Sequence, residues 1–339
     1  MNKPAENLLP EINNKPARKL LLSKVASRFS HKVDLFVVSV SFEVRCLCIA
    51  EALGAENVNR VLVCYNQDQE FLMHNNRMRL KSLFGSKAVD VPLMMDKPLI
   101  TADHLVTGLS YLEHDDARNV LVDITSFTHE ALLILIRVIY DLFNKKKYNF
   151  NFIYTAASAY SFNEKNADTW LTRGIKDIRT ILGYSGEFVP SKNTHLIILL
   201  GYEVERAFKL IDLFEPAQIS LGVARKAESI HPSFHAVNQL THSKMPGSEK
   251  KVSTFDFSCI NPWQTKEDIA AQVKANPGYN VVIASLNNKI STVGVGIFAL
   301  GRPEIQLCYT SAAQYNTKGY SLPDDHCYLF KMDFGSIGG

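Results

Sequence analysis

No stretch of this sequence is apolar for the roughly 20 residues that a bilayer-spanning helix needs, and its opening, MNKPAENLLPEINNKPARKLLLSK, has no apolar core of the secretory kind. Charge of one sign is scarce as well. Lys and Arg number 37 against 34 Asp and Glu, a formal charge of +3, too small to advertise a nucleic-acid or membrane surface. The six cysteines, at 46, 48, 64, 259, 308 and 327, follow no ladder of spacings that would mark a disulfide framework. Cys46 and Cys48 fall in a helical pattern, where residues two apart face different ways and cannot share a metal or a bond. The thiols therefore read as reduced and mostly buried, in a cytoplasmic protein. Neither G-x-G-x-x-G nor G-x-x-x-x-G-K-[ST] occurs, which leaves dinucleotide and P-loop readings unsupported. With 46% apolar and 21% charged residues the composition excludes wholesale disorder.

What is present is a repeat. Residues 154–160 read YTAASAY and residues 309–315 read YTSAAQY. Their surroundings match too. DLFVVSVSFEVRCLCIAEAL (34–53) aligns with THLIILLGYEVERAFKLIDL (194–213): an apolar run of the kind buried on both faces of a sheet, a small residue, an aromatic, Glu-Val, then one helical face of apolar residues. Each helix leads to a second short apolar run, RVLVCYN (60–66) or AQISLGVA (217–224). Later come NVLVDITSFTHEALLILIRVIYDL (119–142) and NVVIASLNNKISTVGVGIFAL (280–300), each a strand, a polar turn and a helix, followed by the strand that carries the heptapeptide.

Strands alternating with helices predict an α/β fold built by tandem duplication of a Rossmann-like parallel-sheet unit. The boundaries read as an N-terminal arm (1–30), unit 1 (31–160), a helical bridge (161–193), unit 2 (194–334) and a flexible tail (335–339). In such sheets ligands bind outside the carboxyl ends of the strands, where helix N-termini collect. Two units in one chain imitate a homodimer, so a shared cleft over both sets of strand ends is the natural ligand site.

The candidate residues sit at those ends. Ser41 and Gly201 are small enough for backbone to approach a ligand, with Tyr202 beside the second. Glu43 and Glu203 either favour the dipole of the helix they open or contact a ligand. Arg45 and Arg206 differ by one position in register, which predicts that at most one reaches the cleft. Asp123, Thr125 and Ser126 end a buried strand beside free N–H groups and offer ribose or phosphate contacts, or serve as a cap. Asn287 holds the equivalent place without charge, and Asp123 has no carboxylate counterpart. Tyr154 and Tyr309, with Tyr160 and Tyr315, either stack a base or cap the sheet. In the bridge, Trp170, Leu171, Ile175, Ile178, Ile181 and Leu182 trace a helical stripe, Arg173 is a candidate phosphate clamp, and the GYSG at 183–186 reads as a helix stop. Tyr184 there and a second GYS at 319–321 suggest paired loops over the cleft. His231, His235 and His242 have a zinc-like spacing, but Pro232 and the lack of a nearby Cys or carboxylate argue against a metal.

The buried strand ending in D-I-T-S (123–126), then an apolar helix, then a strand ending in tyrosine, resembles the second motif of CARF domains. These are the Rossmann-like sensors of CRISPR-linked signalling, and their duplicated relatives form SAVED domains. The likeness covers about two-thirds of the chain in architecture and is specific in sequence at Asp123–Ser126. It implies a cyclic oligonucleotide bound across the halves near 41–45, 123–126 and 201–206, in antiviral defence. The family's glycine-rich turn is missing, since Phe127, Thr128 and His129 follow Ser126.

The function expected is a sensor for a nucleotide-type small molecule, signalling to a partner protein or effector subunit because the chain shows no effector of its own. No cofactor and no metal are expected, no membrane, and nucleic acid is not expected as the main partner. Two other readings stand beside it: a nucleotide-processing enzyme of phosphodiesterase or ring-nuclease type, and a non-catalytic assembly subunit.

Overall fold

The computed structural model describes residues 16–114, 118–145, 148–160, 170–245, 251–317 and 320–336. In the first half the chain runs β1 (Arg18–Leu21), α1 (Val25–Arg28), β2 (Val33–Ser39), α2 (Arg45–Leu53), β3 (Val58–Asn66) and α3 (Glu70–Phe84). It continues through β4 (Ala88–Leu93), α4 (Pro98–Leu109), α5 (Tyr111–His114), β5 (Asn119–Asp123), α6 (His129–Phe143) and β6 (Asn149–Tyr160). Next come β7 (Thr172–Ser185), β8 (Thr194–Leu199), α7 (Val204–Phe214), β9 (Gln218–Ala224), α8 (Pro232–Ser243) and β10 (Lys251–Phe257). The chain closes with α9 (Pro262–Ala275), β11 (Asn280–Ser285), α10 (Lys289–Ala299), β12 (Ile305–Tyr315) and β13 (Ser321–Met332).

The two sheets have the orders β1-β13-β6-β5-β2-β3-β4 and β10-β9-β8-β11-β12-β7. Written from the other end, the second reads β7-β12-β11-β8-β9-β10, the order of the first without β1. Five neighbouring strands in each sheet are parallel, one antiparallel strand (β13 or β7) is added beside them, and in the first sheet β1 pairs antiparallel outside β13. The duplication is thus present in topology, and the fold is a two-unit Rossmann-like α/β fold.

The antiparallel strands are exchanged between the copies. β7 follows β6 in the chain yet pairs with β12 of the second sheet, while β13 follows β12 and pairs with β6 of the first. The registers correspond: Thr172 lies opposite Tyr315, and Ser321 opposite Tyr160. Each repeated heptapeptide is the end of a strand against which the other copy's outgoing strand docks.

Two expectations fail here. The bridge is a strand over 172–185 and not a helix. Its β-branched content suits a strand, and Gly174 and Gly183 take positive φ values of 64° and 86°, which no helix contains. The misleading three-residue spacing comes from a bulge. Ile175 pairs with Ala312 but Asp177 with Ser311, so Lys176 is an extra residue that returns Ile175 and Ile178 to one face. Ile178 then packs toward α7, and Ile181 toward the opposite core. The arm is also partly structured: β1 pairs with β13, and Leu20, Leu22, Val25 and Phe29 pack on the side of the sheet that carries α2. Residues 1–15, 161–169 and 337–339, parts of the expected arm, bridge and tail, lie outside the described residues.

One apolar core runs through both halves. It links Leu35 and Val122 of the first sheet, by way of α6 and α10, to Ile197 and Leu307 of the second. Helix α10 closes on α6 because residue 296 is glycine: a Cβ there would sit 2.9 Å from Leu133 Cδ2. His129 Nδ1 meets Thr292 Oγ1 across the same seam at 2.6 Å. Such continuity opposes a free hinge between the units.

Candidate functional site

The strand ends of both copies surround a cavity of about 200 Å³, with the N-termini of α2, α6, α7 and α10 around it. Ser41, Glu43, Arg45, Thr125, Ser126, Tyr154, Gly201, Tyr202, Glu203, Arg206, Asn287 and Tyr309 all line it. The structure therefore brings together residues from opposite ends of the chain that were singled out by their place at strand ends.

Most of these residues first hold the exchanged strands. The Glu43 carboxylate takes Arg45 Nη2 at 2.7 Å and the Ser321 hydroxyl, while Arg45 Nε reaches Ser321 Oγ at 2.8 Å. In the other copy, Glu203 accepts from the Thr172 backbone N–H at 2.7 Å and from its hydroxyl. Arg206 pairs with Glu203 at 3.1 Å and donates to Thr172 Oγ1 at 2.8 Å. Ser321 and Thr172 are the first residues of the exchanged strands, so each Glu–Arg pair clamps an incoming strand. Both arginines reach the cleft, contrary to the one-residue register argument. The extra Glu205 is absorbed in the first turn of α7, which begins at Val204 where α2 begins at Arg45. Burial alone would lower the Arg45 guanidinium, yet Glu43 beside it holds it well above its ordinary value.

The heptapeptide tyrosines close the arrangement. The Tyr160 ring lies 5.2 Å from that of Tyr202, and the Tyr315 ring 6.1 Å from that of Phe42. Phe42 and Tyr202 are the aligned aromatics before Glu43 and Glu203, so each copy's last tyrosine packs on the other copy's first aromatic. Tyr320 joins both sets, 5.5 Å from Phe42 and 6.3 Å from Tyr160. Tyr154 OH lies 3.5 Å from Tyr160 OH. Burial raises the phenols of Tyr160, Tyr202, Tyr309, Tyr315 and Tyr320, so they remain neutral donors at physiological pH.

Three predicted residues lie elsewhere. Asp123 is 1% exposed and does not line the cavity. Strand alternation turns it toward the α2 side, where its Oδ1 accepts from the Thr125 backbone N–H at 3.0 Å and from the Thr125 hydroxyl. Thr125 Oγ1 in turn accepts from Thr155 N at 2.9 Å, so D-I-T-S is a buried turn lock. Arg173 is exposed, its guanidinium 4.6 Å over the Trp170 ring and outside the cavity lining. Tyr184 is a core residue whose hydroxyl donates to Leu133 O at 3.1 Å, so the two GYS segments are not paired loops. Gly201 is small for a different reason from the one expected. A Cβ there would lie 1.9 Å from Leu286 O, so it admits the neighbouring turn of its own copy. Asn287 likewise holds that turn, donating to Leu200 O at 2.6 Å.

Burial lifts the Asp123 carboxyl to about 7; its Thr125 bonds and Arg45 oppose the shift. An acid whose pKa is higher folded than unfolded gives stability that is complete below the unfolded value, near 4, and is lost as pH rises through 7. Asp123→Asn is expected to match wild type in urea unfolding at about pH 4 and to exceed it by up to roughly 4 kcal/mol at about pH 8. A variant less stable at both pH values would show that the carboxyl is needed as an anion.

Sequence reasoning missed His129 and Lys289, the first residues of α6 and α10, which both face the cavity. The signal was their shared place just after the caps Thr128 and Asn288. Burial pushes His129 well below its ordinary value, with Lys289 and Arg206 adding to the effect. The histidines with zinc-like spacing are engaged separately: His231 Nδ1 accepts from Ser233 N, His235 meets Ala224 O, and His242 meets Thr254 Oγ1. Asp324, Asp325 and His326 lie close enough together to share an ion, on β13, in a partly exposed group. All six cysteines are free thiols. No helix among the described residues is long and apolar enough to cross a membrane.

No protein-family model matches the chain, and no curated protein does. Among solved structures, the cytoplasmic domain of a prokaryotic cation chloride cotransporter is 11% identical, with a TM-score of 0.25, over 84% of this chain and 98% of that one. Phosphoethanolamine N-methyltransferase 1 of Haemonchus contortus, solved with phosphoethanolamine and S-adenosylhomocysteine, is 8% identical, with a TM-score of 0.27, over 78% and 72%. Neither is a CARF or SAVED protein, and likenesses this distant carry no argument about function.

Proposed function

We propose that this protein is a binding module that takes one small, ring-bearing, nucleotide-type molecule at the seam of its two copies and signals its presence to a partner protein. One observation carries the reading: aromatic residues of both copies interlock around an internal cavity that also has polar strand ends and helix N-termini on its wall. Aromatic faces stack bases of any sequence, and neutral phenols donate to ring nitrogens and carbonyls. At about 200 Å³ the space is below the roughly 300–1,000 Å³ of drug-sized sites and suits a mononucleotide better than a cyclic oligonucleotide.

Occupancy acts where the cavity wall and the strand exchange coincide. Tyr160, Tyr315 and Tyr320 end or precede the exchanged strand pairs, so a ligand seated against them bears on the docking of β7 and β13 and spares the continuous core. The likeness to CARF and SAVED domains adds the expectation of a cytoplasmic role in bacterial immunity with the effector on another chain. His129 and Lys289 in the same cavity favour a second reading, an enzyme that processes its nucleotide ligand.

The test is mass spectrometry of small molecules released on denaturing the purified protein, with equilibrium dialysis against a panel of nucleotides. About one ring-bearing molecule per chain is expected, lost in the Tyr160→Ala, Tyr315→Ala double variant. A protein that releases nothing and takes up no member of the panel contradicts the proposal.

A further inference from the structure

The two copies are not equal at their helix starts. Unit 1 presents His129 to the cavity and unit 2 presents Lys289, each the first residue of its helix. His129 is neutral and already engaged. The Thr292 hydroxyl donates to Asn288 O at 2.9 Å, leaving its lone pairs for His129 Nδ1–H. Lys289 makes no hydrogen bond or ion pair among the described residues. The other cavity cations are matched: Arg45 by Glu43 and Arg206 by Glu203. Glu130 is held by Arg179 at 2.7 Å. A helix N-terminus is also the wrong end for a cation, because the macrodipole is positive there. The protein thus places in an aromatic cavity an ammonium that has no hydrogen-bond or ion-pair partner among the described residues, at the helix end that disfavours it, with the more distant Glu43 carboxylate as its one favourable charge.

We infer that the ligand is one-sided and acidic, a phosphate monoester or similar anion whose charged group meets Lys289 and whose ring lies among the tyrosines. This rests on the binding reading above and deepens it. A two-fold symmetric cyclic nucleotide would set equal groups against His129 and Lys289, and only one end would find a cation. The facing charges explain how the site senses its ligand. Burial, opposed by Glu43 and reinforced by Arg45 and Arg206, brings Lys289 down to about 7. His129 is the remaining titratable neighbour coupled to it, and is neutral throughout this range. Near pH 7 the amine is partly unprotonated, and an arriving anion draws a proton onto it, so binding and proton uptake are linked.

The experiment uses the full chain with its lysines reductively methylated with ¹³C, the Lys289 signal being identified by its loss in Lys289→Arg. In the free protein that signal should titrate well below the other lysines, and inorganic phosphate should raise its midpoint. Nucleoside 5′-monophosphates should raise it further, and the matching nucleosides should not. Monophosphate affinity should fall roughly tenfold per pH unit above the free midpoint. Lys289→Arg should keep the affinity and lose that slope, while Lys289→Met should bind monophosphates no better than nucleosides. An ordinary Lys289 midpoint, a midpoint unmoved by phosphate, or monophosphate binding unchanged in Lys289→Met overturns the inference. If phosphate moves Lys289 but no ring-bearing compound binds, the acidic-ligand inference loses its ring and fails together with the nucleotide reading. If nucleosides and monophosphates bind alike, only the acidic-ligand inference falls.

Discussion

Arg45→Ala should lower stability in urea unfolding by about 3–5 kcal/mol, among the largest effects of any single replacement in this chain. The side chains of Arg45 and Glu43 are only 4% and 9% exposed, so removing the guanidinium strands a carboxylate in a nearly water-free place. The same guanidinium donates to Ser321 Oγ and to Thr155 O at 3.2 Å, so β13 also loses its anchor and β6 a backbone partner. A buried pair is weak evidence of net stability, because apolar residues of similar size often do as well. The double variant Glu43→Gln, Arg45→Met should therefore recover much of the loss. A mild effect of Arg45→Ala, below about 1 kcal/mol, would mean that water reaches the pair and that it does not fasten the exchanged strand.

Ending the chain at residue 320 should prevent the first half from folding. β13 supplies Cys327, Leu329, Phe330 and Met332 to the cores on both faces of the first sheet, each 5% exposed or less. At about 1.5–3 kcal/mol for each large apolar side chain, their loss removes an amount comparable to the whole stability of a typical domain, about 5–15 kcal/mol. It also leaves β6 as an unpaired edge. Because the exchange is reciprocal, a fragment of residues 16–160 alone should be unfolded or aggregated. Co-expressed halves split within 161–169 should instead assemble into a complex with wild-type circular dichroism. Cooperative unfolding of the isolated first half would show that each copy is self-sufficient and the exchange incidental.

The duplication was legible because parallel strands buried on both faces must be continuous apolar runs, and these survive in both copies as VDLFVVS and THLIIL. The strand ends were legible for the same reason, and Ser41, Glu43, Arg45, Tyr154 and their counterparts, picked out by that position, all line the cavity. The strand at 172–185 was not. A bulge at Lys176 breaks the alternation that marks a strand and mimics a helical period, and the order in which strands pair leaves no local trace. Asp123 was misplaced because strand alternation settles its direction: Val122 faces the α6 core, so the next residue faces α2. Lys289 escaped notice because its meaning depends on its having no hydrogen-bond or ion-pair partner among the described residues, which only the assembled seam reveals.

The account stands most directly on where a ligand lies. A crystal structure grown with a saturating nucleoside 5′-monophosphate is expected to show the ring within van der Waals contact of the Tyr160, Tyr202, Tyr315 and Tyr320 cluster and its phosphate beside Lys289. The same ligand bound on an outer surface, with the cavity between the copies empty, would contradict it.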